Sequence, residues 1–290
     1  MPRLVSAVFV LVAALAAPAA RAAILHTAAI TPDELGNTRV HVHTIDTATG
    51  VITPGPPTNW NWGTYDMAAI GGVIYGDQFG PACVERTSIQ VWHFDLATQA
   101  VGGFVVSLGG TTATYARISS LAAAQGRLFA SVRSWGGPCG GSNRIAEFGP
   151  DGQIAQEWQF AGPVEFERIA FAPDGRLFAL DHVTTGTRRI ELHVVDRATL
   201  STSLVGGHPT ETTTSAYSDL TFTPDGELWG IERDGNIQRL RRLDPASGAI
   251  LANVPLPANA AMRLWGLVSV PDAPVPAIPA SWGRLKADYR

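Results

Sequence analysis

Four times along the chain, a short apolar run, a tight turn and a second apolar run follow one another in one pattern. The fullest copy is Ser218 to Glu232, SDLTFTPDGELWGIE. Glu167 to Asp181 reads ERIAFAPDGRLFALD, Ser119 to Val132 reads SSLAAAQGRLFASV, and Asp66 to Gln78 is a shorter DMAAIGGVIYGDQ. Within the fullest copy Leu220 and Phe222 alternate with Thr221 and Thr223, the period of two that a pleated strand requires. Pro224 presets its own φ and Gly226 tolerates a positive one, so Pro-Asp-Gly reads as the turn between two strands. A unit that recurs in this way must bury equivalent faces against neighbouring copies of itself.

A second signature follows each unit. An apolar strand ends in Asp, x-Ala-Thr or x-Ala-Ser comes next, and another strand begins. The instances are VHVHTIDTATGVIT at 40–53, IQVWHFDLATQAVGGFVV at 89–106, IELHVVDRATLSTSLV at 190–205 and IQRLRRLDPASGAILANV at 237–254, with a Pro-Asp-Gly turn instead at 144–158. Asp46, Asp95, Asp196 and Asp244 read as turn formers, because a short carboxylate accepts from N–H groups two or three residues ahead. Each repeat is therefore four antiparallel strands. Met67, Leu121, Ile169 and Leu220 share one register, with a mean spacing of (220 − 67)/3 = 51 residues. Four-stranded units at about this period predict an all-β fold, a β-propeller.

Both ends carry partial units. Leu264 to Val270, LWGLVSV, has the first-strand pattern with no second strand after it; Ala23 to Ile30 and Arg39 to Thr53 supply three strands with no first. Joined, the two ends complete one blade, giving five blades over 23–270 and a ring closed by N- and C-terminal strands. The Pro-rich tail at 271–290 falls outside the repeat. At the other end Arg3, the apolar run Leu4 to Ala17 and the A-x-A site Ala20-Arg21-Ala22 form a signal peptide over 1–22, with the mature start near Ala23. The expected location is secreted or periplasmic. The run is too short to span a membrane as a helix, and a net charge of −4 gives no basis for a nucleic-acid partner.

Propeller geometry brings the starts of first strands and the ends of second strands to one mouth of the central channel. The starts are Asp66, Ser120, Arg168, Asp219 and Gly266; the ends are Gln78, Val132, Asp181 and Glu232, with Arg133, His182 and Arg233 just beyond. Asp66, Asp219, Asp181 and Glu232 would form an acidic mouth countered by Arg168 and Arg133. Carboxylates in this number suit a hard divalent cation such as Ca²⁺, with Asp66 and Asp219 as first candidates. An ion-paired rim that only ties blades together is the alternative. Trp60, Trp62 and Trp135, in loops on the same face, suit stacking on a glycan or gripping a protein. His41, His43 and His193 sit on sheet faces without an evident third ligand. Cys83 and Cys139 fall in equivalent loops of adjacent blades, so an oxidising compartment predicts a disulfide between them.

The PDG-x-LW turns resemble those of secreted propellers of the NHL type and of the senescence-marker-protein/gluconolactonase group. The lactonase resemblance implies a divalent metal held by Glu, Asn and Asp at first-strand starts. Asp219 ahead of TFTPDGELW matches the Asp, but Leu220 replaces a Gly and Arg168 stands at the Asn position. VPAIPASWG in the tail resembles the opening of a bacterial C-terminal sorting tag, without the helix and basic end that complete one. The reading from sequence is a monomeric binding or scaffold module for a small molecule, glycan or protein. The alternatives are a metal-dependent hydrolase of lactonase type and an envelope structural protein.

Overall fold

The computed structural model describes residues 23–32, 38–55, 58, 66–77, 88–107, 116–134, 144–161, 164–184, 186–257 and 263–270. Every regular element among them is a β-strand. β1 (Ile24–Pro32), β2 (Thr38–Asp46) and β3 (Ile52–Thr53) come first. β4 (Met67–Ile70), β5 (Val73–Asp77), β6 (Ser88–Asp95) and β7 (Val101–Ser107) form the next sheet. It is followed by β8 (Ala116–Ala124), β9 (Arg127–Ser134), β10 (Arg144–Phe148) and β11 (Ile154–Gln159). Then come β12 (Arg168–Phe171), β13 (Leu177–Val183), β14 (Arg189–Asp196) and β15 (Ser201–Pro209). β16 (Ala216–Phe222), β17 (Leu228–Asp234), β18 (Ile237–Leu243) and β19 (Ile250–Pro255) make the last complete run. β20 (Arg263–Ser269) returns to pair antiparallel with β1.

The result is a five-bladed β-propeller of four-stranded antiparallel blades. β4, β8, β12, β16 and β20 are the inner strands, each touching the inner strands on either side. The first blade takes its inner strand from the C-terminal end and its other three from the N-terminal end, as the partial repeats predict.

Local chemistry sets the turns. In the copies at 172–176 and 223–227, Gly175 and Gly226 adopt φ of +86° and +88°. Their N–H groups donate back to Ala172 O and Thr223 O at 2.9 and 3.0 Å. The Asp turn formers act as expected. Asp46 Oδ1 accepts from Ala48 and Thr49 N–H at 2.9 Å each, and Asp95 Oδ1 from Ala97 and Thr98 at 2.8 and 2.9 Å. Asp196 and Asp244 accept from Ala198 and Ala246 N–H at 2.8 and 3.0 Å. Two inner strands start earlier than the repeat suggests, β8 at Ala116 and β16 at Ala216. Each absorbs its extra length in a bulge, around Ser119 and Ser218 respectively. A bulge bends the strand and increases its twist as it nears the axis.

Every seam between neighbouring blades holds its own apolar core. Phe148, Leu128 and Ile118 face Val91, Tyr75 and Val106 across one seam. Ile145, Phe129 and Trp158 meet Ile169, Leu177 and Val195 across the next. Phe178, Leu192 and Ile190 meet Leu220, Tyr217 and Leu243. Trp229, Ile231 and Leu240 meet Leu25, Ile45 and Leu267, and Val40, Val42 and Val268 meet Ile74, Trp92 and Phe94. Both faces of a blade are thus covered, which a lone four-stranded sheet cannot achieve.

Candidate functional site

Around the axis, Asp66, Ser120, Arg168, Asp219 and Gly266 precede Met67, Leu121, Ile169, Leu220 and Leu267 by one residue each. Asp66 and Asp219 are completely buried. Asp219 Oδ2 accepts from Met67 N–H at 3.1 Å and from Leu267 N–H at 2.6 Å, while Oδ1 accepts from Leu220 N–H at 2.7 Å. One carboxylate so ties β4, β16 and β20 together. Burial pushes its pKa up, against the pull of these N–H donors and of Arg168.

Arg168 lies across the cluster. Its Nε is 3.6 Å from Asp66 Oδ1, and Nη1 donates to Ser119 O and Glu167 O at 2.5 Å each. Burial opposes its charge, but Asp66 above all, then Glu167, Asp219 and Asp77, more than offset that. Ser120 Oγ accepts from Ile169 N–H at 3.0 Å and joins β8 to β12. Asp77 is a member that sequence reasoning missed in favour of its neighbour Gln78. It is buried, and its Oδ1 accepts from Asp66 N–H at 3.1 Å. Period-two alternation along β5 turns Asp77 to the face opposite that of Gly76, the only signal that could have found it.

Asp181 and Glu232 join other groups. Glu232 is buried among cations: its Oε2 accepts from Arg241 Nε at 2.5 Å and lies 3.7 Å from Arg239 Nη1. Glu211 completes that network from the preceding loop, 3.1 Å from Arg239. Arg233 stacks over the Trp265 ring at 4.1 Å. Asp181 accepts from the Glu165 backbone N–H and sits beside Glu191, its cross-strand partner on β14. Burial, then the charges of Glu167, Glu165 and Glu191, push its pKa up to about 6. His193 shares that strand face, and one oxygen or nitrogen atom from each of Asp181, Glu191 and His193 lies within 4.8 Å of the other two. His41 and His43 stack on each other at 5.7 Å, and His43 Nδ1 accepts from Gly55 N–H at 3.0 Å. Gln78, Trp60, Trp62, Trp135, Cys83 and Cys139 lie outside the described residues, as do the signal segment and the tail; nothing is described of the Arg133 side chain.

The cation expected from the lactonase resemblance meets a poor donor set at the axis. A guanidinium occupies the place of the Asn ligand, and the Asp219 oxygens already accept three N–H bonds. These residues fit an ion-paired, hydrogen-bonded tie between blades, and no catalytic step follows from a metal there.

The open space is elsewhere along the axis. A cavity of about 530 Å³ begins at Met67, Leu121, Ile169 and Leu220 and extends to the turns at Gln125, Asp174 and Pro224. Its wall is made by small residues of the inner strands, including Ala68, Ala122, Ala123 and Ala170. Arg127 and Arg197 stand at its edge. Arg127 is paired to Glu147 at 2.9 Å. Arg197 instead lies over three rings, Phe129 at 4.9 Å, Trp158 at 5.1 Å and Phe171 at 5.2 Å. Sequence reasoning placed the ligand at the strand starts and did not single out Arg197, which belongs to an Asp-x-Ala-Thr turn like any other.

No family model matches the chain, and no curated protein matches it. Among solved structures, a protein of unknown function from Bacteroides caccae is 14% identical with a TM-score of 0.44, over 81% of this chain and 73% of its own. A luciferin-regenerating enzyme is 14% identical with a TM-score of 0.47, over 80% and 76%. A streptogramin B lyase is 16% identical with a TM-score of 0.40, over 80% and 69%. The blade count and closure described above stand on the strand pairing of this chain alone.

Proposed function

We propose that the protein is a binding propeller that takes a small organic anion with an apolar body into its central channel, outside the cytoplasm. The observation that carries this reading is the axial cavity of about 530 Å³, walled by alanines, aliphatic side chains and the rings of Phe129, Phe171 and Phe222, with Arg197 beside the ion-paired Arg127–Glu147 and the Arg176-paired Asp174 among its charged residues. Its size lies within the ~300–1,000 Å³ range of small-molecule sites, and a few polar groups on an apolar wall are the usual means of orienting a ligand. Among the described residues Arg197 lies against aromatic rings and pairs with no carboxylate. Its charge is therefore available to an incoming anion, whereas that of Arg127 is shared with Glu147. The A-x-A site after an apolar run supports export, and the mature chain starting near Ala23 belongs to the same proposal.

A thermal-shift screen of aliphatic and aromatic carboxylates tests the reading, run in parallel on the native chain and on Ala123→Trp. Ala123 is half-buried and lines the cavity where it meets the seam core, so an indole there takes up part of the cavity volume. Compounds that raise the melting temperature of the native chain and not of the variant support channel binding. Stabilisation of equal size in both, or no stabilising compound at all, overturns it.

A further inference from the structure

We propose a second site, a divalent transition-metal site of the Zn²⁺ class, formed by Asp181, Glu191 and His193 on one face of the fourth blade. Among the described residues, one ligand atom from each of these three lies within 4.8 Å of the other two. The placement follows from strand register. Asp181 on β13 faces Glu191 on β14, and Ala179 faces His193, so the three side chains emerge on the same side of the hairpin. Ala179 leaves room beneath the imidazole. The face is the one turned toward the third blade, because Leu177, Ala179 and Val195 on it pack with Ile145 and Trp158.

The individual groups are arranged as ligands. His193 is only 4% exposed, its Nε2 lies 3.2 Å from Glu191 Oε2, and its Nδ1 has no hydrogen-bond partner among the described residues. A buried imidazole with an unsatisfied nitrogen is costly in a sheet face that an aliphatic side chain could fill. Burial favours its neutral form, which is the one a metal requires, although the charge and hydrogen bond of Glu191 pull the other way. Glu191 is oriented from behind: Arg189 Nε donates to its Oε1 at 2.5 Å, leaving Oε2 turned toward His193. That is the outer support that fixes a ligating carboxylate. Asp181 faces Glu165, Glu167 and Glu191, whose charges all disfavour its ionised form. A dication would remove that repulsion.

The donor set selects the metal. Ca²⁺ takes six to eight oxygens, whereas imidazole with carboxylates suits Zn²⁺ and its neighbours. Zinc ligands lie ~2.0–2.2 Å from the ion. Three atoms within 4.8 Å of one another reach that span with side-chain shifts of about an ångström. Three protein ligands leave a fourth position open.

The test is calorimetric titration of ZnCl₂ into the full chain, tag-free and stripped with chelator, beside a CaCl₂ titration and the variants Asp181→Asn and His193→Gln. The expected result is one Zn²⁺ per chain, weakened at least tenfold in each variant, with no Ca²⁺ heat. Absence of Zn²⁺ binding overturns the site. So does stoichiometric binding unchanged in both variants, which would move the metal elsewhere, and so does Ca²⁺ binding that His193→Gln leaves intact. Should a variant fail to fold, X-ray absorption of the Zn²⁺-loaded native chain decides. A shell of one imidazole with carboxylate oxygens supports the site; an all-oxygen or multi-imidazole shell overturns it.

Discussion

At the scale of single residues, buried charge is used for assembly at the axis. Asp219 accepts backbone N–H groups from three blades, so Asp219→Ala leaves donors on β4, β16 and β20 unsatisfied and removes one of the charges balancing Arg168. Losses of about 2–4 kcal/mol follow for a buried, hydrogen-bonded carboxylate removed on its own. The expected outcome is a lower urea midpoint, with Asp219→Asn less affected because an amide oxygen still accepts. His26 supplies a pH dependence of its own. It is 4% exposed, and burial lowers its pKa from 6.5 to about 4. The unfolded chain therefore binds a proton below about pH 6.5 that the folded chain refuses until about pH 4, so His26 costs stability progressively as pH falls through that window. The full loss is about 3 kcal/mol, and His26→Leu abolishes it. Urea midpoints of the two proteins should coincide most closely above pH 7 and diverge toward pH 4. The raised acids Asp181 and Asp219 act in the opposite sense in both proteins, so the difference isolates the histidine.

At the scale of the strand, two glycines show how tightly the blades fit. Gly76 on β5 and Gly230 on β17 occupy the same place in YGD and WGI of the repeat. A methyl group at Gly76 would sit 2.3 Å from the Trp92 ring, and at Gly230 2.6 Å from the Tyr217 ring. Glycine in a strand interior commonly marks such a close approach. Trp92 is completely buried and Tyr217 nearly so, leaving neither ring room to retreat. Gly76→Ala should destabilise by about 1–3 kcal/mol through overpacking. The same change at Gly126, where the added methyl meets nothing within 4 Å, tests turn strain at φ +73° instead. A thermal melt of Gly76→Ala equal to that of the native chain would show that the seam can expand.

At the scale of the whole molecule, the ring is closed by the pairing of β1 with β20 across nearly the full length of the chain. Thr27 Oγ1 donates to Gly266 O at 2.7 Å over 239 residues, and Leu25, Leu264 and Leu267 join the seam with Trp229 and Ile231. Contacts of such separation are slow to form, because chain entropy is lost before they contribute. Closure is therefore expected late, after the other blades have stacked. Leu267→Ala should then speed unfolding while leaving the folding rate nearly unchanged, the pattern for a residue unformed in the transition state. Stopped-flow urea jumps in both directions measure the two limbs. A folding rate that falls as far as stability does would place β20 in the nucleus instead.

The repeat made the architecture legible before any coordinates, because strand periodicity, Pro-Asp-Gly turns and Asp turn formers are local chemistry that a chain displays in order. The four-stranded unit, the count of five, the shared terminal blade and the level at which Asp66, Ser120, Arg168, Asp219 and Gly266 meet all follow from aligning copies of one motif. What tertiary structure decided was which charges meet. Asp219 turned to backbone donors of two other blades, Glu232 to Arg239 and Arg241, and Asp181 to Glu191 and His193. Cross-strand partnership fixes such contacts, and register is set by hairpin pairing and bulges that alignment of a single strand does not reveal. The cavity likewise depends on how five inner strands pack about an axis, since a volume between elements belongs to none of them.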